Sequence, residues 1–288
     1  MATPLKVKAP AKINLGLTVT GRRRDGFHDL ESVMQQVSLA DTLFFEPFQG
    51  KGWHFFCTDR NLSGPENLAA QAASLLEKRA GKSMPGVKIT LFKNIPVEAG
   101  LAGGSADCAA TLAGLNRFWE LGFDLGSLQD LGLLLGSDVP YCLQGGTALA
   151  GGRGEKLEAL PPLPFFWVVL ALPAGLRMST AAVYKSFDRD KLGEPDLTPL
   201  VKAIREGSRN KIRQWLGSGF TNTLETAVVP GSGLLKETKR ELENRGLQPV
   251  LSGSGPTLFM LYEDYNQARR AARMAEEANC RAYLCWTL

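Results

Sequence analysis

From Ala9 onward the chain alternates. Ala11, Ile13, Leu15, Leu17 and Val19 are apolar at every second position, and Lys12, Asn14 and Thr18 share the opposite side with Gly16. A period of two predicts a strand with one apolar face. The turn-forming run Gly21-Arg22-Arg23-Arg24-Asp25-Gly26 ends it. A second extended stretch is expected from Glu31 to Leu39 and a third from Leu43 to Phe48. Between Glu66 and Arg79 the spacing of Leu68, Ala69, Ala72, Ala73, Leu75 and Leu76 predicts a helix, which Gly81 can stop. Val87 to Phe92 reads as another strand. The glycine-rich run Gly100 to Ser105 follows and opens into a helix from about Ala106 to Phe118. Ser127-Leu128-Gln129-Asp130 has the spacing of a capping box, and Gly136 sits where a C-terminal cap belongs.

The run Pro161-Pro162-Leu163-Pro164 marks the expected boundary between an N-terminal domain, 1–160, and a C-terminal domain, 161–288. Beyond it come a strand over Phe166–Leu172, a helical region including Gly233–Asn244, and extended residues at Pro249–Leu251. After Ser252-Gly253-Ser254-Gly255-Pro256 the chain is extended again over Thr257–Tyr262, then helical from Asn266 to Ala278. No internal repeat is visible. The pattern predicts an α+β protein in two lobes.

Composition narrows the function classes. The chain has 288 residues, 44% hydrophobic and 22% charged, enough for a substantial core. A net charge of +4 suits small anionic ligands at least as well as nucleic acid, whose binders carry denser basic patches. The five cysteines form no CxxC pair, which argues for reduced thiols and a cytoplasmic setting. With only His28 and His54, no histidine-rich metal site can be built. The N-terminal residues lack the apolar core of a signal peptide, and no run of about 18 apolar residues suggests a membrane span.

Three features can carry chemistry. The loop from Pro96 to Ser105 lies between a strand and an alanine-rich helix, where backbone N–H groups can face phosphate oxygens; the plainer alternative is a tight turn packed on a sheet. It is neither a P-loop nor a dinucleotide loop. Gly81-Lys82-Ser83 lacks the upstream glycine, and GxGxxG occurs nowhere. Lys12 and Asn14 leave one face of the first strand about 6.6–7 Å apart, forming either a ligand surface or a solvated outer face. Asp138, in Gly136-Ser137-Asp138-Val139-Pro140, is either a residue bonding nearby backbone N–H groups or a general base on a rigid corner.

Taken together, these motifs resemble the GHMP kinase superfamily. Pro10-Ala11-Lys12-Ile13-Asn14-Leu15, Gly21 through His28, Asn94-Ile95-Pro96-Val97, Gly100 through Ser105, Gly136 through Pro140 and Ser252 through Pro256 all fit in order along the whole chain. Within the superfamily they are most similar to the branch that phosphorylates a cytidine-diphosphate-linked methylerythritol in the non-mevalonate route to isoprenoids. The resemblance implies a two-lobed α+β GHMP kinase fold. Its N-terminal lobe would be ribosomal protein S5 domain 2-like and its C-terminal lobe ferredoxin-like.

It also implies ATP with Mg2+, a monomer or homodimer, and no nucleic-acid or membrane partner. Lys12 and Asp138 would be catalytic, with Asp138 as base. Pro96, Val97, Glu98, Ala99, Gly100, Leu101, Ala102, Gly103, Gly104, Ser105 and Ala106 would form the ATP loop, with Asn67 toward the nucleoside. Asn14 would meet the methylerythritol end, Phe27 and Tyr184 would sandwich the cytosine, and His28 and Thr180 would bond around it. Four residues depart from the family pattern. Phe27 stands for a tyrosine, Glu98 and Ala102 for glycines, and Ala106 for a second serine.

The arginines at 22–24 are either a diphosphate attractor or a solvated hairpin tip. His54 reads as structural, and Ser252–Gly255 as a close backbone approach. Two rival readings remain at this point. A sister kinase acting on mevalonate or homoserine would have no use for an aromatic pair around a pyrimidine. A non-enzymatic S5-like nucleic-acid module would leave Asp138 and the loop without a role.

Overall fold

The computed structural model describes residues 3–187, 196–219, 221–227, 229 and 231–288. In chain order the elements begin β1 (Leu5–Arg22), β2 (His28–Lys51), β3 (Trp53–Cys57), α1 (Leu68–Ala80), β4 (Pro85–Phe92) and α2 (Gly103–Phe118). There follow α3 (Leu125–Leu133), α4 (Val139–Gln144), β5 (Thr147–Gly151), β6 (Lys156–Ala159) and β7 (Trp167–Pro173). The rest are α5 (Thr180–Ser186), α6 (Thr198–Arg205), α7 (Arg209–Leu216), α8 (Ser232–Asn244), β8 (Val250–Leu251), β9 (Leu258–Tyr262), α9 (Tyr265–Glu277) and β10 (Cys280–Trp286). The α+β expectation holds.

The chain forms two compact units that interleave in sequence. The first comprises Met1–Ala11, Leu39–Val97 and Ala102–Gly145. Here β4 pairs antiparallel with the second half of β2, Leu43 opposite Leu91 and Phe45 opposite Ile89, and parallel with β3. The alanine-rich helices α1 and α2 pack together over a core of Leu43, Phe45, Leu76, Ile89, Leu91, Leu112 and Leu115. Their small side chains allow close approach. At Gly114 on α2 an added Cβ would come within 2.4 Å of the Phe45 ring, so only glycine lets the helix lie against that strand. Truncating the buried Phe45 would cost about 3–5 kcal/mol.

The second unit comprises Lys12–Ser38, Glu98–Leu101 and Gly146–Leu288, and contains the proline run. The first half of β2 pairs with β5, and β5 with β6. An antiparallel sheet in the order β10-β7-β9-β8 packs against α8 and α9, burying Val169, Ala171, Leu258, Met260, Ala271 and Ala275.

Four local expectations change. The stretches 31–39 and 43–48 are one continuous strand, β2, because Asp41 turns inward rather than breaking it. Helix α2 starts three residues early, at Gly103. The cap of α3 is Asp124, whose carboxylate accepts from the Ser127 N–H, so Ser127 is inside the helix and not its cap. The Lys12 face of β1 is no solvated surface. Lys12, Asn14 and Thr18 are as buried as the apolar face, and a Cβ on Gly16 would meet Leu197 and Trp215 at 2.7 Å.

Candidate active site

Burial of a polar strand face demands partners for each group. The Lys12 ammonium donates to Asn14 Oδ1 at 2.6 Å. Asn14 Nδ2 donates to Ser32 Oγ at 2.8 Å, and that hydroxyl donates to the Gly16 carbonyl at 2.7 Å. The lysine is thus aimed by a chain of bonds running through β1 and β2. Ser252 adds to it, its Oγ accepting from the Asn14 N–H at 3.4 Å and donating to the Gly100 carbonyl at 3.2 Å. Gly100 has φ +73, and a Cβ there would lie 2.7 Å from the Ser252 carbonyl oxygen. The close backbone approach expected of Ser252–Gly255 is therefore to Gly100. Asn222 Nδ2 holds this turn, donating to the carbonyls of Leu251 and Gly253.

In the first unit the phosphate-loop candidate enters α2 through Ala102, which has φ 55 and gives the helix no side-chain cap. The first N–H groups of α2 consequently lack an intrahelical or capping acceptor, the arrangement that attracts anions. Under this turn lies a buried charge cluster. Lys93 Nζ donates to Asp41 Oδ2 at 2.5 Å and to Asp107 Oδ2 at 2.7 Å. Asp41 Oδ1 accepts from the backbone N–H groups of Asn94 and Ile95. Burial pushes the Asp107 carboxyl up to about 8; Lys93 opposes the shift, while Asp41 adds to it. Asn67, expected near the nucleoside, caps α1: its Oδ1 accepts from the Ala69 N–H and its Nδ2 donates to the Leu62 carbonyl.

Asp138 stands at the N-cap of the short helix α4, half-buried, and makes no capping hydrogen bond with its side chain. Capping α4 is therefore not its role. Its corner packs beside the start of α2, since a Cβ on Gly136 would lie 3.8 Å from Ser105 Oγ.

In the second unit, His28 and Tyr184 rings lie 5.5 Å apart, and Phe187 meets His28 edge-on at 6.4 Å. Phe27 is half exposed, with the Arg153 guanidinium 4.6 Å from its ring centroid. Burial, then the charge of Arg22, holds His28 below its ordinary pKa, so its imidazole is neutral at pH 7 and can both donate and accept. Thr180 Oγ1 bonds Ser254 Oγ at 2.8 Å. Of the arginine run, Arg23 is tied to Asp25 and Asp29.

Two family models match the chain, the GHMP kinases N terminal domain over residues 67–146 and the GHMP kinases C terminal domain over residues 200–281. Between them they span more than half of it. The chain belongs to the GHMP kinases. A 4-diphosphocytidyl-2-C-methyl-D-erythritol kinase of Listeria monocytogenes is 42% identical over 92% of this chain and 89% of its own. The kinase of that name from Moorella thermoacetica is 44% identical over 95% of each. A solved structure of 4-(cytidine 5'-diphospho)-2C-methyl-D-erythritol kinase has a TM-score of 0.82 at 38% identity, covering 98% of this chain and 99% of that one. Homoserine kinase from Cytophaga hutchinsonii, at 18% identity and TM-score 0.69 over 100% of this chain and 95% of that one, shares the fold.

The departures from the GHMP kinase pattern acquire a physical meaning. Glu98 and Ala102, where glycine is usual, both hold φ near +55, a conformation that strains an L residue. The Glu98 carboxylate is exposed and lies 4.0 Å from Arg177. Ala106 is buried in the core of the first unit, with Cys108 and Leu112. Sequence reasoning missed Asp41, Lys93, Asp107, Arg153 and Phe187. Asp41 reads as a loop residue and Asp107 as one polar position on a helix, so periodicity gives neither away. Among the described residues no helix is long and apolar enough to cross a membrane.

Proposed function

We propose that this protein transfers the γ-phosphoryl group of ATP to the 2-hydroxyl of 4-diphosphocytidyl-2-C-methyl-D-erythritol, in the non-mevalonate route to isoprenoid precursors. The observation that carries the reading is identity above 40% over more than nine-tenths of the chain to kinases bearing that substrate's name. The cluster of His28, Tyr184 and Phe187, with Phe27 beside Arg153, supports it, because a pyrimidine needs stacking faces and a neutral donor–acceptor. Mevalonate and homoserine kinases share only the fold at 18% identity or less, and an S5-like nucleic-acid module leaves the Lys12 network without purpose.

In this reading the acceptor hydroxyl attacks the γ-phosphorus, forming the new O–P bond as the bond to the β-phosphate oxygen breaks and ADP leaves. Asp138 accepts the hydroxyl proton. The Lys12 ammonium, aimed by Asn14, offsets negative charge that grows in the transition state. Residues Pro96 to Ala106 receive the ATP phosphates, with Asn67 near the nucleoside, and positioning supplies most of the rate. Asn14 lies toward the methylerythritol, Phe27 and Tyr184 toward the cytosine, and His28 and Thr180 bond around it. The matched N- and C-terminal stretches fall on either side of Pro161, consistent with domains over 1–160 and 161–288. For Mg2+, the described residues offer no group of three or more His, Cys, Asp or Glu side chains. No step is assigned to the ion.

The deciding experiment is ATP consumption by the purified protein with the cytidine substrate, mevalonate and homoserine offered separately. Turnover confined to the cytidine substrate is expected. Faster turnover of either other acceptor would overturn the assignment.

A further inference from the structure

Lys93, Asp41 and Asp107 come from three separate stretches of the first unit and meet in its interior. Asp41 and Asp107 are 0% and 2% exposed. Two carboxylates on one ammonium are not a balanced set: with both ionised the cluster carries a net negative charge in a region that solvates charge poorly. Asp107 Oδ1 is buried with no hydrogen-bond partner. Such an arrangement is costly, and its position shows what it holds in place. Asp41 grips the backbone just after β4 through the Asn94 and Ile95 N–H groups. Asp107 lies in the first turns of α2. Lys93 joins the two, and a Cβ added at Gly103 would lie 3.4 Å from its Nζ and 3.0 Å from Ile95. The first residue of α2 thus rests directly on the cluster.

We propose that Asp107 is a positioning residue for the phosphoryl donor: through Lys93 and Asp41 it ties the end of β4 to the start of α2 and sets the aim of the N–H groups that receive phosphate. The proposal rests on the reading of residues 96–106 as the ATP loop. It acts through the backbone, and Asp107 itself touches no substrate.

A second property follows from the charge count. One proton on the carboxyl pair makes the cluster neutral, and a neutral cluster does not repel the phosphates above it. Burial first, and then Asp41, favour that proton on Asp107, against Lys93. Cys57, at the end of β3, and Cys108, its neighbour on α2, both feel its charge. Helix α1 offers only Glu77, Lys78 and Arg79 in its last turns, and α4 only Tyr141 and Cys142. From β1, Lys8 bonds Thr42. Donor binding is accordingly best while the proton is held and weakens as it is lost above pH 8.

The test uses the full chain and the variants Asp107→Ala and Asp107→Asn. Asp107→Ala removes the tie and raises KM for ATP about tenfold or more, with kcat and KM for the cytidine substrate within about twofold. Asp107→Asn keeps an oxygen for Lys93 and imitates the neutral state. It restores KM for ATP at pH 7 and, unlike the parent, holds it flat from pH 7 to 9. An unchanged KM for ATP in Asp107→Ala, or equal drift of both KM values, would overturn the proposal. Should the alanine variant not fold, the pH profile decides: parallel profiles for the parent and Asp107→Asn would overturn it. If the parent turns over none of the acceptors, the kinase reading has failed instead. The same comparisons are then made on equilibrium binding of ATP, with loss in Asp107→Ala and recovery in Asp107→Asn still required.

Discussion

The Lys12 ammonium donates to the side-chain oxygen of Asn14, two residues along β1, at 2.6 Å in a buried setting. A lysine held this way has little rotamer freedom left to lose when negative charge develops beside it. Lys12→Ala is expected to lower kcat at least about a hundredfold, with a smaller change in either KM. Steady-state kinetics with both substrates checks this. A variant altered only in KM for the acceptor would make Lys12 a binding residue.

Asp138→Asn should lower kcat about 10²–10⁴-fold. Asparagine keeps the size of the side chain and most of its hydrogen-bonding capacity, so the fold has little to lose. Thermal unfolding within about 2 °C of the parent is expected alongside the loss. Activity within a few-fold of the parent would remove Asp138 from the role of base.

Tyr184→Ala should raise KM for the cytidine substrate roughly 5- to 150-fold, from the loss of about 1–3 kcal/mol of stacking, and leave KM for ATP unchanged. Since His28 is the ring next to Tyr184, the pair is expected to be non-additive, and a double-mutant cycle with His28→Ala measures it. Equal rises in both KM values would mean that Tyr184 only packs its own unit.

Stability should fall as pH rises from about 4 to 8. Folded Asp107 keeps its proton up to about pH 8, whereas an unfolded aspartate releases it near 3.9, so between those values the folded state binds the extra proton. The contribution is fully present below the lower value and gone above the higher, with a slope of up to about 1.4 kcal/mol per pH unit. Urea unfolding at pH 5, 6, 7 and 8 reads it, and Asp107→Asn should show a shallower dependence than the parent.

Ala102→Gly and Glu98→Gly should each stabilise the protein by about 1 kcal/mol, because both residues sit at φ near +55. A rise in Tm of about 2 °C per substitution is expected. A fall in Tm would show that other contacts outweigh the backbone strain.

How far the chain could be read in advance depended on whether local pattern and tertiary demand agree. The apolar set Ile13, Leu15 and Leu17 announced β1, and Gly81 closes α1 in the left-handed conformation its position suggested. The polar set Lys12, Asn14 and Thr18 looked like an open face, because partners such as Ser32 and Ser252 come from distant sequence. Asp124 and Ser127 are both plausible caps three residues apart, and only the backbone geometry chooses between them. The strand β10 went unread. Arg281, Ala282, Tyr283 and Leu284 lack clean alternation, and its register against β7 is set by pairing rather than by a face.

The turn at Ser252 also sets a timetable. Its hydroxyl reaches the Asn14 N–H across 238 residues, so the network that aims Lys12 cannot close until that much chain has been made. At about 5–20 residues per second, the first strand waits roughly ten to fifty seconds on the ribosome with a lysine and an asparagine still unplaced. Contacts of such long range also slow folding once synthesis is finished. A nascent chain halted before Ser252 can build the helices and core of the first unit, yet holds Lys12 without the turn that fixes Asn14 and Gly100.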